Sequence, residues 1–464
     1  MSGLLTGDSA RITLGGIEIS GAGEAGLSFN ATGSVQDLLA RKGVEISVNS
    51  MVDPALLAGL ADAGTLGKIR TKARLTDQDG SLGLEALQAQ TEGSDLWKVE
   101  TRGQIDDLLN ADEIELRTRL EIPNPAAFST KIGGDPIEME HTSFDGVLAG
   151  SNESLNATGS FVVGATRFDG TVSGAWLDGR PTMKGQLVSE VVHLADFGLK
   201  EPELPLADAK ETPATAGPVG PVFDMSPLPF ESLRAANIEL DARIEEVDGA
   251  GITIDRLTSS IRLKNGVLDL DPLTFSFVGG DLATRVRVDA VGDTPVVQLA
   301  ADADDLDLET VFKTIGADVP VDGELDITTK LTASGITTRA LAGSLSGNLD
   351  MAVARGRARI AFFELLGVDL FRWMLSPGAL EGVTDINCLI VRLDAKDGRA
   401  EMGNFILDTP GTRTGGTGSV DLGSETVDLV FVPKPKRRLL KQLTTPVAVR
   451  GPLRDPSVDL NPVG

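Results

Sequence analysis

Two histidines, His141 and His193, stand far apart in a chain of 464 residues, and neither has a cysteine or second histidine at zinc-closing spacing. Neither completes a triad with a convincing nucleophile. The single cysteine, Cys388, forms no internal disulfide and lies in the alternating run NCLIVRLDA, where a small buried strand residue fits better than a reactive thiol. Asp302, Asp304, Asp305 and Asp307 offer carboxylates to calcium, but they lack the loop glycine and terminal glutamate of an EF-hand. They read as polar strand positions leading into a helix start. The glycines of GGTGS, residues 415–419, precede neither a lysine nor a helical pattern and read as a strand turn, not a phosphate loop. No catalytic residue, metal or cofactor is therefore expected, and the residue types point away from an enzyme.

Two other kinds of chemistry remain, one charged and one apolar. Lys434, Lys436, Arg437, Arg438 and Lys441 form a basic run in a chain whose formal net charge is −26. Such a run suits an anionic membrane surface, where each cation contributes about 1 kcal/mol, or a solvated loop. The overall charge excludes nucleic acid as a partner, because phosphate binding needs clustered lysine and arginine. Tyrosine is absent and tryptophan is limited to Trp97, Trp176 and Trp373. Readers of sugars and bases stack their ligands on aromatic rings, so a surface of Leu, Ile and Val suits acyl chains better.

The apolar residues alternate with polar ones, most clearly over residues 255–290. There Leu263 leads into Asn265-Gly266, a pair suited to a tight hairpin turn with positive φ at both positions. Leu268 and Leu270 share one face; after Pro272, Leu273, Phe275 and Phe277 line a next strand. Gly279-Gly280 turns the chain again, and Val286 and Val288 answer from a strand whose other side carries Arg285 and Arg287. The same phrase recurs without gaps. Leu82, Leu84, Leu87 and Gly93 follow Asp79-Gly80, while Ala400, Met402, Phe405 and Gly411 follow Asp397-Gly398. A repeated unit argues for a repeat architecture. Asn-Gly or Asp-Gly pairs at 79, 145, 169, 178, 248, 265, 322 and 397 predict hairpin punctuation along the whole length.

Short helical phrases are predicted from Ser34, Asp53, Arg102 and Ile122, with another carrying Leu308, Val311, Phe312 and Ile315 before Gly316. Residues 359–375, RIAFFELLGVDLFRWML, form the most apolar helix candidate, too short and too charged to span a bilayer. Proline-rich residues 200–229 read as an exposed, partly disordered linker between residues 1–199 and 230–464. No window reaches the length of a transmembrane helix and no signal sequence follows Met1. The chain begins in the middle of a strand pattern, which suggests a missing beginning.

Residues 227–464 carry a resemblance built from several phrases. These are IELDARIEEVDGAGITIDRLTSSIRLKNGVLDLDPLTFSFVGGDLATRVRVDA, LAGSLSGNLDMAVARGRARI, the stretch from TDINCLIVRLDAKDGRAEMG to VDLVFVPKPK, and TPVAVRGPLRDPSVDL. Together they resemble the C-terminal region of the bacterial AsmA family, and the first 200 residues are similar in style. The resemblance implies a mainly β protein, an elongated, twisted antiparallel sheet of repeated meanders with short helices, curled into an open groove lined with aliphatic side chains. It implies non-catalytic carriage of phospholipid acyl chains through the periplasm, attachment to the Gram-negative inner membrane by an N-terminal anchor that has no counterpart here, and support of outer-membrane assembly. On this reading Leu263, Leu268, Leu270, Leu273, Phe275, Phe277, Val286 and Val288 line the groove. The alternative is a scaffold that binds outer-membrane assembly proteins through exposed strand edges. A closed, dry inner face would favour it.

Overall fold

The computed structural model describes residues 2–7, 11–22, 27–40, 42–54, 66–77, 80–177, 179–198, 221–249, 252–314, 321–359, 383–436 and 446–460. Within them the chain forms 26 strands, three short α-helices and two 3-10 turns. It is a mainly β protein of antiparallel pairs, and the pairings among the described residues do not close the strands into a barrel. The chain divides into two compact units, residues 1–200 with 247–249 and residues 201–246 with 250–464.

In the first unit each strand pairs with the next in sequence, from Ser2–Gly7 to Arg180–His193. Such a meander keeps contacts local and needs only tight turns. Helix α1 (Pro125–Lys131) opens with proline in its first turn, and the Asn124 side chain accepts from the Ala127 amide. Its Phe128 approaches Trp97, with ring centroids 6.4 Å apart, while Trp97 Nε1 donates to Leu66 O at 2.9 Å. The predicted helix at Ile122 is thus present. Those at Ser34 and Arg102 are not: both stretches are strands, Ser28–Asp37 and Lys98–Asp107, ended by turns. Asp37 Oδ1 accepts from Leu39 and Ala40, and Asp107 Oδ1 accepts from Leu109 and Asn110. An aspartate that ties its own following amides stops a strand without starting a helix. Most of the phrase from Asp53 lies outside the described residues.

The second unit repeats the pattern from Ile252–Lys264 to Ser457–Leu460, except that Val383–Ile386 and Cys388–Lys396 both pair with Ser346–Arg359. Helix α2 (Leu308–Thr314) follows the strand Val296–Asp307, and Asp307 Oδ1 accepts from the Thr310 amide. Leu308, Val311 and Phe312 pack against the core there, while Ile315 and Gly316 lie outside the described residues. Helix α3 (Thr338–Ser344) was absent from the sequence expectations; its Thr337 cap accepts from the Ala340 amide. The apolar phrase at 359–375 lies outside the described residues apart from Arg359, the last residue of the strand Ser346–Arg359.

Of the proline-rich stretch, residues 200–220 lie outside the described residues. Its tail is pinned: Glu425 accepts from the Val222 and Phe223 amides at 2.6 and 3.3 Å, and Arg454 donates to Pro221 O at 2.6 Å. These contacts hold the Glu425 carboxyl below its usual range, the Val222 amide most strongly.

Several Asp-Gly pairs are not turns. Asp145-Gly146, Asp169-Gly170 and Asp322-Gly323 lie inside the strands Thr142–Gly150, Thr166–Leu177 and Val321–Ser334. Gly170 answers a close approach instead: a Cβ there would strike Gln186 O on the neighbouring strand. Asn265-Gly266 and Asp397-Gly398 do take positive φ at both positions, 52° and 84° in the first pair and 49° and 78° in the second.

Candidate functional site

The three repeated phrases share a device that keeps one face apolar. Residues Val267–Phe277 form a single strand rather than two broken at Pro272. Its register against the next strand runs Leu268↔Val288, Leu270↔Val286, then Leu273↔Thr284 and Phe275↔Leu282. Three residues are spent where the partner spends two, so Asp271 and Pro272 form a bulge. That extra residue reverses the alternation, and Leu268, Leu270, Leu273, Phe275 and Phe277 all stay on one face. Leu84 and Leu87 step the same way against Ile105 and Gly103, and Met402 and Phe405 against Leu393 and Val391. The spacing of two then three in the repeat is therefore the signature of a bulge.

Directly paired residues of antiparallel strands present their side chains to one face, so the registers define apolar ladders. One runs Leu263–Leu268–Val288–Val297–Ala333, and the next Ile261–Leu270–Val286–Leu299–Leu331. A third crosses seven strands as Phe275–Leu282–Ala303–Ile327–Met351–Val391–Phe405. Phe405 then meets Phe431 edge-on at 4.9 Å. At about 4.8 Å between strands, the seven-strand ladder spans roughly 29 Å. The first unit carries its own ladders, among them Ile46–Leu75–Leu84–Ile105–Ile114 and Leu120–Phe144–Phe161–Phe168.

Burial varies along the second unit's apolar face. Near α2 it is a closed core, with Ala303, Leu306, Leu325 and Val353 between 1% and 7% exposed. Near the opposite ends of the strands, Leu263 and Val288 are buried at 6% and 8%. Between them Leu270, Leu273, Phe275, Val286, Leu299 and Leu331 are only half-buried, as are Leu268 in the ladder of Leu263 and Val288 and Phe277 against the core near α2. The eight groove candidates thus share one face, but three of them belong to its packed margins, Leu263 and Val288 at one end and Phe277 against the core near α2. The ladder partners Leu299, Leu331, Ile327 and Met351 were missed, because strand pairing rather than local alternation brings them alongside.

The reverse face is wet and charged. Arg287 meets Asp269 at 2.6 Å, Arg285 meets Asp271 at 3.0 Å, and Arg450 meets Asp428 at 2.9 Å. Exposed pairs of this kind add little stability each, but they keep this side hydrated.

The basic run is only partly described. Lys434 is exposed, whereas Lys436 Nζ is held by Asp408 at 2.9 Å; Arg437, Arg438 and Lys441 lie outside the described residues. The Lys436 hydrogen bond, then that from Asn387, holds the Asp408 carboxyl below the usual carboxylate range. Cys388 is half-buried at the start of the strand Cys388–Lys396. Among the described residues, no group of three or more His, Cys, Asp or Glu is placed to hold a metal ion, and no helix is long and apolar enough to cross a membrane.

Antiparallel meanders with an apolar face and, in the second unit, an ion-paired reverse face agree with what residues 227–464 resemble. The family profile of AsmA matches residues 35–405. The chain belongs to the AsmA family. It is 27% identical over 292 residues to the AsmA family protein YhjG of Escherichia coli strain K12, an alignment that covers 60% of this chain and 42% of that protein. The chain therefore spans less than half the length of this curated relative. No solved structure matches. AsmA membership associates the chain with the bacterial envelope, and the family is not known for catalysis.

Proposed function

We propose that this AsmA-family chain holds phospholipid acyl chains along the apolar ladders and passes them on without a chemical reaction, in the periplasm, in support of outer-membrane assembly. The observation that carries the reading is the half-buried middle of the second unit's apolar face, set between two buried margins. A finished core would bury Leu270, Phe275, Val286 and Leu299 as thoroughly as it buries Val353. Apolar surface left partly in water is a standing driving force for an apolar occupant. Each methylene moved from water onto it gains about 0.8 kcal/mol.

The ladders repeat from strand to strand with no single polar anchor, so a tail has many near-equivalent positions. Binding is therefore distributed, and headgroups stay in water. Membership of the AsmA family supports a role in lipid transport or outer-membrane assembly. A half-buried face also favours this reading over a scaffold working through strand edges alone. Native mass spectrometry of the protein purified from a Gram-negative host tests it. Co-purified phospholipid is the expected result; protein without lipid that also fails to take up a fluorescent phospholipid would overturn it.

A further inference from the structure

The strand Lys68–Thr76 reads KIRTKARLT, with a cation at every second position, so Lys68, Arg70, Lys72 and Arg74 emerge on one face. Their face is the polar side of the first unit, since Ile69 and Leu75 take the other. In a chain of net charge −26 this is a concentrated positive ridge.

Its charges are not all spent. Arg70 pairs with Glu92 at 2.7 Å and Arg74 with Glu85 at 3.1 Å. On the strand Asp112–Ile122, Arg117 and Arg119 share one carboxylate, Asp145, at 3.1 and 2.6 Å. Between these groups, Lys72 and Arg102 form no ion pair among the described residues. The register runs Lys72↔Gln88↔Arg102↔Arg117, so two free cations flank a glutamine, with a third arginine on the next strand. Lys72 and Arg102 are then about 10 Å apart at the backbone, two strand spacings, a gap that two long side chains can close over a single anion.

Lys72, Gln88, Gln90 and Arg102 line a common cavity of about 180 Å³. Its one carboxylate, Glu100, lies directly opposite Arg119, whose charge it helps to stabilise. The cavity thus offers a guanidinium fork, an ammonium and the Gln88 carboxamide to an occupant with several acceptor oxygens, while Gln90 Nε2 already donates to Glu92 at 3.4 Å. A tetrahedral oxyanion matches that donor set.

We propose that Lys72, Gln88 and Arg102 form a phosphoryl-binding site on the polar face of the first unit. The site is separate from the apolar ladders and does not depend on their carrying lipid. The phosphoryl group belongs either to a lipid headgroup or to a soluble phosphate.

The test follows the side-chain amide of Gln88 by NMR in the full chain while inorganic phosphate is titrated at constant ionic strength, with chloride as control. Saturable shifts with phosphate alone are expected. Lys72→Gln/Arg102→Gln should weaken them at least tenfold, while Lys330→Gln/Lys396→Gln, which removes equal charge elsewhere, leaves them unchanged. A second arm sediments the protein with phosphatidylcholine vesicles, with and without phosphatidylglycerol. Retention by the anionic vesicles that the Lys72/Arg102 variant loses marks a headgroup as the source; phosphate binding without retention marks a soluble one. Equal shifts with chloride and phosphate, or unchanged shifts in the Lys72/Arg102 variant, would overturn the proposal.

Discussion

Leu270→Asp places a carboxylate in the half-buried middle of an apolar ladder, between Ile261 and Val286 on the adjoining strands. A fully buried leucine contributes roughly 1.5–3 kcal/mol, and Leu270 has already buried part of its surface on folding, so a lipid tail covering the remainder gains on the order of 1 kcal/mol from it. Replacing it by a carboxylate removes that gain and sets a charge against the tail, an unpaired polar burial that costs roughly 2 kcal/mol more. The sum, about 3 kcal/mol, corresponds to roughly a hundredfold loss of affinity at about 1.4 kcal/mol per decade. Stability should suffer less, because without lipid the carboxylate can reach water. A fluorescent phospholipid titrated into wild type, Leu270→Asp and Gln298→Asp measures this, Gln298 being exposed on the reverse face. Unchanged affinity in Leu270→Asp, or equal losses in both variants, would refute the reasoning.

Other outcomes follow from the same geometry. Leu325→Ala, in the closed core beneath α2, should lower unfolding free energy by about 2–5 kcal/mol in denaturant titration. Gly170→Ala should destabilise by about 1–3 kcal/mol, since its Cβ would meet Gln186 O; thermal melting at or above the wild-type temperature would contradict this. Asp408 titrates below its ordinary value of 3.8 in the folded protein, so its stabilisation is present above that value and is lost as pH falls through the folded pKa. Wild type should therefore be more stable than Asp408→Asn near neutral pH, with the gap closing below about pH 4 in pH-resolved thermal melts.

Much of the fold was legible because a meander is local. Alternation and the Asn265-Gly266 and Asp397-Gly398 turns needed no long-range information, and the face shared by Leu268, Leu270 and Val286 followed from period two alone. The bulge was visible but misread: Pro272 looked like a strand end, although the same step from two to three at Leu84–Leu87 and Met402–Phe405 shows a strand that continues. Asp37 and Asp107 misled in the other direction, since helix-forming leucines follow them while their carboxylates tie the turn. Gly146 and Gly170 resembled hairpin signals because a close interstrand approach asks for the same residue as a tight turn. The ladder partners Leu299 and Leu331 depend on register between strands, which no single stretch records. The alternating cations of residues 68–74 were open to inspection, but their significance depended on which acids stood opposite, and those come from other strands.

The central claim is that the apolar face, and not its reverse, meets lipid tails. Photocrosslinking amino acids placed singly at Leu270, Leu299 and Leu331 on the ladders, and at Arg285, Gln298 and Arg392 on the polar side, address it directly in living cells. Illumination should join phospholipid to the protein from the three ladder positions and not from the other three. Lipid adducts equally frequent on both faces, or absent from all six positions while wild-type-like folding is retained, would contradict the account.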